Sequence, residues 1–321
     1  MAKYDETIGL VGMGLAGACL AWHLDDRGVE FVWCDDERDG SASSVAAGLL
    51  NPVTGRNFEP SWRIRDFLPQ AMRFFAQREA VVGERWWHPL PVVRLIDEKT
   101  WPKVARKLER EEVARWVERV DESVPGWRAA VVLRGGGRLD VAGFCRATRE
   151  WFGSRRVGAL DAGRVVRCDG AAGLMAGWLG EHRCAKGEIL TVLAPGVDDS
   201  RVVVGGGGWL VPLGAGLFKV GATYEWDQLD GEPTAEGRAK IERILAALGV
   251  EDFVVVDHAA GVRPIVRRSI PLIGPLADGT MVLNGLGSKG SLYAPGAAKS
   301  LADWLVGDGE LDPGLDVREW V

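Results

Sequence analysis

The chain has 321 residues, of which 47% are hydrophobic and 26% charged, as is typical of a soluble globular protein with about two domains. Its formal net charge of −6 argues against broad binding to nucleic acids or membrane surfaces. No apolar run is long enough to span a membrane, and the first residues lack the pattern of a signal peptide. We therefore expect a cytoplasmic protein whose fold begins close to its first residue.

The cysteines and histidines do not form a recognisable ligand pattern. The five cysteines are odd in number and show no C-x-x-C spacing, and the four histidines are scattered along the chain. Such usage predicts a reduced protein without a zinc or iron–sulfur site. We expect no metal in the functional site.

The chain opens with the pattern of a strand, a glycine turn and a helix. Within residues 7–17, Gly12, Gly14 and Gly17 form a G-x-G-x-x-G motif. In a dinucleotide-binding unit the first glycine allows a tight turn and the second lets the backbone approach a pyrophosphate. The third lets the helix pack closely on the strand. Leu15 and Ala16 then lie at the helix N-terminus, whose free amides and dipole suit a phosphate.

A second apolar strand, Glu30–Cys34, ends at Asp35 and Asp36. An acidic residue at this place accepts a hydrogen bond from a ribose hydroxyl in dinucleotide sites. The glycines, the strand–helix–strand context and the acid together favour a dinucleotide site over a glycine-rich turn that binds nothing. In the polar segment that follows, Ser43 and Ser44 either cap a short helix or hold a phosphate.

The rest of the chain changes its pattern near residue 188. Before it, the spacing of apolar residues predicts helices at 62–82, 104–120 and 141–152 and strands at 91–96, 129–134 and 163–167, the last one closed by Gly170. After it come glycine-separated strands typical of an antiparallel sheet, at 188–193, 201–204, 209–213 and 217–223. The remaining elements are a helix at 235–247, strands at 253–259 and 281–284, and a helix at 294–306.

These patterns predict an α/β protein of two interwoven parts. We expect a Rossmann-like nucleotide-binding domain and an α+β domain built on an antiparallel sheet that holds the substrate. The first domain would comprise residues 1–85, 138–185 and 259–321, and the second residues 86–137 and 186–258.

With these motifs, the chain resembles the D-amino-acid oxidase and glycine oxidase superfamily of FAD enzymes over nearly its whole length. Five blocks carry the resemblance, at residues 12–35, 43–50, 186–188, 209–223 and 261–291. The final block contains Gly285-Leu286-Gly287-Ser288-Lys289-Gly290. It is most similar to the oxidase domain of the bifunctional enzyme that modifies the tRNA wobble uridine. We expect no methyltransferase domain in this protein, so the resemblance does not carry a tRNA role over.

The resemblance implies a Rossmann-like FAD-binding domain. Its expected FAD contacts are Gly12, Gly14, Leu15, Ala16, Gly17, Asp35, Asp36, Ser43, Ser44, Ala47, Gly48, Leu49, Gly170, Gly285, Leu286, Gly287, Ser288, Lys289 and Gly290. The flavin should be bound non-covalently. The resemblance would place a covalent attachment on a cysteine after Arg263 or on a histidine directly after the glycine motif, and this sequence has neither.

Three residues are expected to act on the substrate and the flavin. The guanidinium of Arg263 suits bidentate capture of a carboxylate; the alternatives are a salt bridge to Asp257 or a surface charge. Trp209 either lines the substrate pocket or belongs to the core. Lys289 either faces the flavin edge, where reduction develops negative charge, or points to solvent.

Four further side chains have two interpretations each. Asn51, Thr54 and Arg56 follow the flavin segment and either contact the substrate or form a solvated loop. His258 is either a catalytic base or a structural histidine.

The resemblance implies oxidation of the C–N bond of a small amine or amino acid that bears a carboxylate. Hydride would pass to the flavin N5 and the imine would hydrolyse in water. The electron acceptor stays open. Rival interpretations are a flavin dehydrogenase with a non-oxygen acceptor, a non-catalytic flavin-binding protein and an NAD-dependent Rossmann enzyme.

Overall fold

A computed structural model describes residues 7–319 with the exception of Asp39, Arg56 and Trp178. The glycine motif folds as predicted into β1 (Ile8–Val11), α1 (Leu15–Asp25) and β2 (Phe31–Cys34), and the two strands pair in parallel. Gly28 follows the helix with φ of 65°, a left-handed conformation that favours glycine, and its amide donates to the carbonyl of Asp25 at 2.9 Å.

The other elements follow in chain order. The helices are α2 (Ala42–Val45), α3 (Ile64–Val82), α4 (Trp101–Leu108), α5 (Glu111–Ala114), α6 (Val141–Trp151), α7 (Gly170–Met175), α8 (Ala235–Ala247) and α9 (Gly290–Leu305). The first strands are β3 (Leu49–Leu50), β4 (Val53–Thr54), β5 (Glu59–Pro60), β6 (Trp87–Pro89), β7 (Val92–Ile96), β8 (Val117–Asp121), β9 (Ala129–Leu133) and β10 (Gly137–Leu139). The later strands are β11 (Arg164–Arg167), β12 (Ala185–Leu193), β13 (Val202–Gly205), β14 (Gly208–Gly214), β15 (Leu217–Gly221), β16 (Val254–Arg263), β17 (Leu272–Pro275) and β18 (Met281–Asn284).

The first large sheet carries the nucleotide motif. Its five strands have the order β17-β18-β11-β1-β2 and are parallel except for β17. Helices α1 and α9 pack together beside it around a core that includes Leu10, Leu20, Tyr293 and Leu301. Because α1 is buried nearly all round, apolar burial and not an amphipathic stripe holds it in place.

The second large sheet has eight strands in the order β16-β12-β15-β14-β13-β7-β9-β8, all antiparallel neighbours except the parallel pair β13–β7. Its register places one row of residues side by side, namely Ile189, Gly221, Trp209, Val204 and Arg94. Residues directly opposite each other share a face of a sheet. The two sheets confirm the predicted α/β fold with a second, antiparallel part.

One of the proposed domain boundaries falls inside a continuous strand. β16 runs from Val254 to Arg263 without interruption, across the boundary expected at residue 259. Arg263 therefore belongs by pairing to the second large sheet, while Pro264 follows it toward the first.

Two predicted helices are wrong in extent. The segment 104–120 ends its helical part at Ala114, and Val117–Asp121 forms β8 against the fully buried β9. Buried backbone groups of β9 need hydrogen-bond partners on both sides, so pairing overrides the helical spacing. The last helix begins at Gly290 and not at residue 294, with Pro295 inside it.

Within the described residues, no helix combines the length and the apolar character that crossing a bilayer requires.

Candidate FAD and substrate site

Two cavities meet between the sheets. One of about 720 Å³ lies at the carboxyl ends of β1 and β2, and one of about 810 Å³ lies over the row of residues on the second large sheet. They share five lining residues, Leu15, Ala42, Ser43, Pro264 and Leu286, so they form one elongated site. We call them the nucleotide cavity and the flavin cavity.

The nucleotide cavity is built on the N-terminus of α1. The hydroxyl of Ser43 accepts a hydrogen bond from the Leu15 amide at 3.0 Å, and Gly14 leaves the room for this approach. Within the described residues the amides of Ala16 and Gly17 have no acceptor. Of these two residues Ala16 lines the cavity, and its free amide at the positive end of the helix dipole fits a phosphate group.

Gly12 and Gly17 show the turn and the close packing that the sequence predicts, while the approach of a pyrophosphate to Gly14 stays a prediction. Gly12 has φ of 92°, and a β-carbon there would approach the carbonyl oxygen of Cys168 to 2.6 Å. A β-carbon at Gly17 would overlap the carbonyl oxygen of Gly12. Gly17 therefore sets the helix packing and does not itself line either cavity.

Asp35 lies at the end of β2 and lines the nucleotide cavity. Its carboxylate accepts hydrogen bonds from the amides of Met13 at 2.6 Å and Glu37 at 2.8 Å. The guanidinium of Arg149 lies 3.9 Å away. Two carboxylate oxygens offer about four acceptor positions, so the ribose contact expected of Asp35 fits this arrangement. Asp36 is exposed and pairs with Arg38.

On the opposite wall of the nucleotide cavity, sequence reasoning predicted Gly170 but missed Asp169 and Asn284, which line the cavity with it. Asn284 donates through Nδ2 to Asp169 at 3.1 Å and to the carbonyl of Gly170 at 3.0 Å. Burial raises the pKa of Asp169, while Arg167 opposes this. The motif Cys168-Asp169-Gly170 at the end of β11 was the available signal, because parallel strands end at one sheet edge.

The flavin cavity is lined by both segments that the resemblance singles out. Ala47, Gly48 and Leu49 form one wall, and residues 286–290 form the other. Gly285 lies behind that loop, outside both linings, and its amide donates to the side chain of Asn284. Ser44 lines only the nucleotide cavity.

Lys219 fixes the first of these walls, which the sequence did not predict. Its ammonium group donates to the carbonyls of Val45 at 2.7 Å and Ala46 at 3.1 Å, from β15 beneath. Burial lowers its pKa. One lysine thus fastens the turn after α2 to the second large sheet.

Lys289 lies at the N-cap position of α9 and lines the flavin cavity. It has no acidic partner in the part of the chain that the structure describes, and burial lowers its pKa. The amides of Gly290 and Ser291 likewise find no acceptor among the described residues. A cation and two helix amides thus contribute positive potential to the same wall.

Arg263 lies in the flavin cavity without a carboxylate partner among the described residues. Nη1 donates to the carbonyl of Lys186 at 3.3 Å and Nη2 to that of Thr223 at 3.2 Å. The guanidinium stacks on the ring of Tyr224 with 4.6 Å to the ring centroid, and burial lowers the pKa of the arginine. The salt bridge to Asp257 is not formed. The long distances leave the fork free for an anion.

Tyr224, half-exposed beside Arg263, was missed although it directly follows the strand block that sequence reasoning quoted. Trp209 lies on the cavity floor and is half-buried, with its ring against Gly221. It thus lines the cavity and also packs on a core cluster.

Strand β16, which carries Arg263, is hydrogen-bonded to the segment before α2. The amide of Val262 donates to the carbonyl of Gly40 at 3.2 Å, and Val262 bridges Ser41. Beneath it, Lys186 is only 1% exposed and pairs with Asp230 at 2.5 Å. The Val262 contacts hold the strand that carries Arg263 against the segment before α2.

His258 does not line either cavity, and its Nε2 lies 2.9 Å from the carboxylate of Glu188. This placement suits the structural interpretation. Asn51 and Thr54 line the flavin cavity, whereas Arg56 lies outside the described residues.

The residues present fit an FAD molecule. The nucleotide cavity offers a free helix amide and an acid at the end of β2, and the flavin cavity has a largely apolar lining with the positive charge of Lys289 on one wall. In the described part of the chain no cysteine or histidine lines the flavin cavity, which agrees with non-covalent binding.

Comparison with known proteins gives a consistent result. The family described as "DAO: FAD dependent oxidoreductase" matches residues 8–304. The tRNA 5-methylaminomethyl-2-thiouridine biosynthesis bifunctional protein MnmC of Maricaulis maris is 29% identical, covering 96% of this chain and 53% of that protein. The chain thus spans about half the length of that relative. The glycine oxidase of Pseudomonas aeruginosa is 24% identical over 94% of this chain and 95% of its own length.

The solved structures agree in fold. The iminodiacetate oxidase of Chelativorans sp. superposes with a TM-score of 0.76 at 22% identity, covering 95% of this chain and 97% of that one. The glycine oxidase of Bacillus cereus gives a TM-score of 0.76 at 17% identity, with 96% of each chain covered.

Proposed function

Because this chain belongs to the DAO family of FAD-dependent oxidoreductases, we propose that it oxidises the C–N bond of a small amine or amino acid that carries a carboxylate. The observation that carries the proposal is Arg263, a buried guanidinium in the flavin cavity without an acidic partner among the described residues. The likeness to a glycine oxidase and to an iminodiacetate oxidase supports the same substrate class.

In this proposal Arg263 orients the substrate. Its fork binds the carboxylate through two parallel hydrogen bonds, and the Tyr224 ring shields one face of the guanidinium from water. Trp209 forms the floor on which the substrate lies. Holding the donor carbon in one place removes the entropy of a bimolecular encounter from the barrier.

Bound FAD supplies the hydride acceptor, and the resulting imine hydrolyses in water. Lys289 and the N-terminal amides of α9 provide positive potential along one wall of the flavin cavity. The amine proton leaves to solvent, since His258 lies outside the cavity and no histidine lines it within the described residues.

The test is anaerobic addition of amines and amino acids to the purified holoenzyme, with bleaching of the flavin absorbance as the readout. At least one carboxylate-bearing amine should bleach the flavin. In Arg263→Met, the concentration of this amine that gives half-maximal bleaching should rise at least about tenfold, with flavin retained. Arg267→Met, which removes an exposed arginine nearby, is the matched control. Bleaching only by amines without a carboxylate, or equal constants in wild type and Arg263→Met, would refute the proposal. The rate of oxygen uptake is then compared with the rate at which the enzyme reduces an artificial dye. Faster oxygen uptake indicates an oxidase, and faster dye reduction indicates a dehydrogenase.

A further inference from the structure

Polar side chains gather at the edge of the flavin cavity opposite to Arg263. Arg94 on β7, Thr54 at the end of β4 and Ser61 just after β5 all line this cavity. The β4–β5 hairpin and strand β7 bring them together, because Arg94 Nη1 donates to the carbonyl of Val53 at 2.6 Å. Sequence reasoning considered Thr54 here but not Arg94 or Ser61.

Arg94 is a largely buried cation without an acidic partner among the described residues. Besides Val53 it reaches only the carbonyl of Gly55, at 3.3 Å, and its guanidinium lies 5.0 Å from the ring centroid of Phe58. Burial lowers its pKa to about 10. Two carbonyls occupy two of five N–H groups, and a buried charge without a counter-charge is costly. Fastening the hairpin accounts for the carbonyl contacts but not for the unbalanced charge.

Ser61 provides a second, independent sign. Its side chain is 4% exposed, lines the cavity, and its hydroxyl has no hydrogen-bond partner among the described residues. A buried hydroxyl left without a partner costs free energy, and a ligand oxygen would satisfy it. The backbone holds this position, since the Ser61 amide donates to the carbonyl of Pro52 at 3.0 Å.

The register of the second large sheet gives the separation of the two arginines. The Arg263 guanidinium lies over Gly187 on β12, two residues from Ile189. Four strand spacings lead from Ile189 to Arg94, which is on the order of 19 Å between backbones. Both side chains face the cavity between them, with Trp209 in the middle of the floor.

We propose that Arg94 and Ser61 form a second anion subsite, which binds the distal anionic oxygen group of an extended amine whose own carboxylate Arg263 holds. The inference rests on the proposed function and adds a requirement to it: the preferred substrate is charged at both ends. A guanidinium fork binds carboxylate and phosphate alike, and a hydroxyl that lines the same cavity can donate to an oxygen of either group.

The experiment uses unreactive carboxymethyl ethers, which present a carboxylate to Arg263 but have no amine to oxidise. Three series of increasing chain length end in a carboxylate, a phosphate or a methyl group. Binding to the holoenzyme is followed by the shift of the flavin absorbance. At one chain length a charged terminus should bind at least about tenfold more tightly than the methyl terminus. Whether carboxylate or phosphate gives the larger advantage identifies the distal group.

Arg94→Met should abolish this advantage and leave the methyl-ended ligand unaffected, and Ser61→Ala should reduce it. Arg110→Met, which removes a half-exposed arginine paired with Glu59, is the control for general charge effects. Equal binding of charged and methyl-ended ligands by wild type at every length would overturn the subsite alone. Failure of every ether to bind would instead refute the carboxylate site at Arg263. If Arg94→Met does not fold, Ser61→Ala decides. The subsite is overturned if this variant binds charged-ended ethers as much more tightly than methyl-ended ones as wild type does.

Discussion

The guanidinium of Arg263 lies directly above Gly187, so closely that a β-carbon at residue 187 would overlap Nη2 and Cζ of the arginine. The two residues belong to neighbouring strands, β16 and β12, whose register places Gly187 opposite Gly261. A side chain at residue 187 would therefore push the guanidinium out of the position in which its fork faces the cavity.

We expect Gly187→Ala to weaken substrate binding while the protein keeps its flavin. The apparent KM for a carboxylate-bearing amine should rise at least about tenfold, which corresponds to about 1.4 kcal/mol of binding free energy. The turnover rate at saturating substrate should change less. Steady-state kinetics on the substrate found by flavin bleaching measure both. Gly196→Ala, where a β-carbon meets nothing within 4 Å, is the control. An unchanged constant in Gly187→Ala would show that Arg263 does not hold the carboxylate from this position.

Lys289 should affect flavin chemistry and not flavin retention. Removing the positive charge at the cavity wall should disfavour negative charge on the bound ring system. We expect Lys289→Met to retain flavin, to reduce it about tenfold more slowly under anaerobic conditions and to bind sulfite more weakly. Lys299→Met removes a half-exposed lysine of the same helix that pairs with Asp303 and serves as the control. An unaltered reduction rate with unaltered sulfite affinity would leave the helix amides alone in this role.

Gly17 should be needed for FAD binding although it lines neither cavity. In Gly17→Ala the added carbon overlaps the Gly12 carbonyl, so α1 must move away from β1 and take its free amides out of place. We expect a purified variant with a flavin-to-protein ratio at least about tenfold below that of wild type. Gly153→Ala, with open space around the added carbon, should stay yellow.

The flavin should also be bound without a covalent link to the protein. Acid precipitation of wild type should leave the flavin in the supernatant; flavin in the pellet would contradict non-covalent binding.

His23 predicts a pH dependence of stability. Burial, with a smaller effect of Arg27, lowers its pKa from 6.5 to about 4, while its Nε2 contacts the carbonyl of Pro295 at 3.1 Å. The unfolded chain therefore takes up a proton that the folded protein excludes. Stability is full above pH 6.5 and falls as the pH drops towards 4, by on the order of 3 kcal/mol from this group.

His23→Gln isolates this effect, because glutamine keeps a polar contact but does not titrate. Chemical unfolding of wild type and variant at several pH values between 7 and 4 measures it. The difference in unfolding free energy should change across this window in favour of the variant at low pH. A constant difference would show that His23 does not remain neutral in the fold.

The nucleotide motif could be predicted from sequence because its determinants are local. Gly17 packs against the carbonyl of Gly12, five positions before it, and the strand–helix–strand pattern is short. The approach of Gly12 to the distant Cys168 carbonyl is a tertiary contact that the motif alone does not show. Asp35 was also placed correctly at a sheet edge. Its hydrogen bond to the Met13 amide could not be foreseen, since it depends on how the loop after Gly12 turns.

The parts that escaped prediction depend on pairing between distant segments. Arg94 and Trp209 share a floor only because β13 pairs with β7 on one side and β14 on the other. Nothing in the sequence near Arg94 shows that it faces a cavity. Likewise β8 looked helical by spacing, and only the need to pair the buried edge of β9 makes it a strand.

The hydrogen bond between Val262 and Gly40 gives the two ligands a common mechanical support. The strand that aims Arg263 and the segment that leads to Ser43 are joined there, so ordering one end of the site restricts the other. Thermodynamic linkage then requires reciprocity: whatever affinity the substrate gains from bound FAD, FAD gains equally from bound substrate. If the proposed amine binds more tightly once FAD is present, the same linkage means that an abundant supply of that amine slows the loss of FAD from the protein.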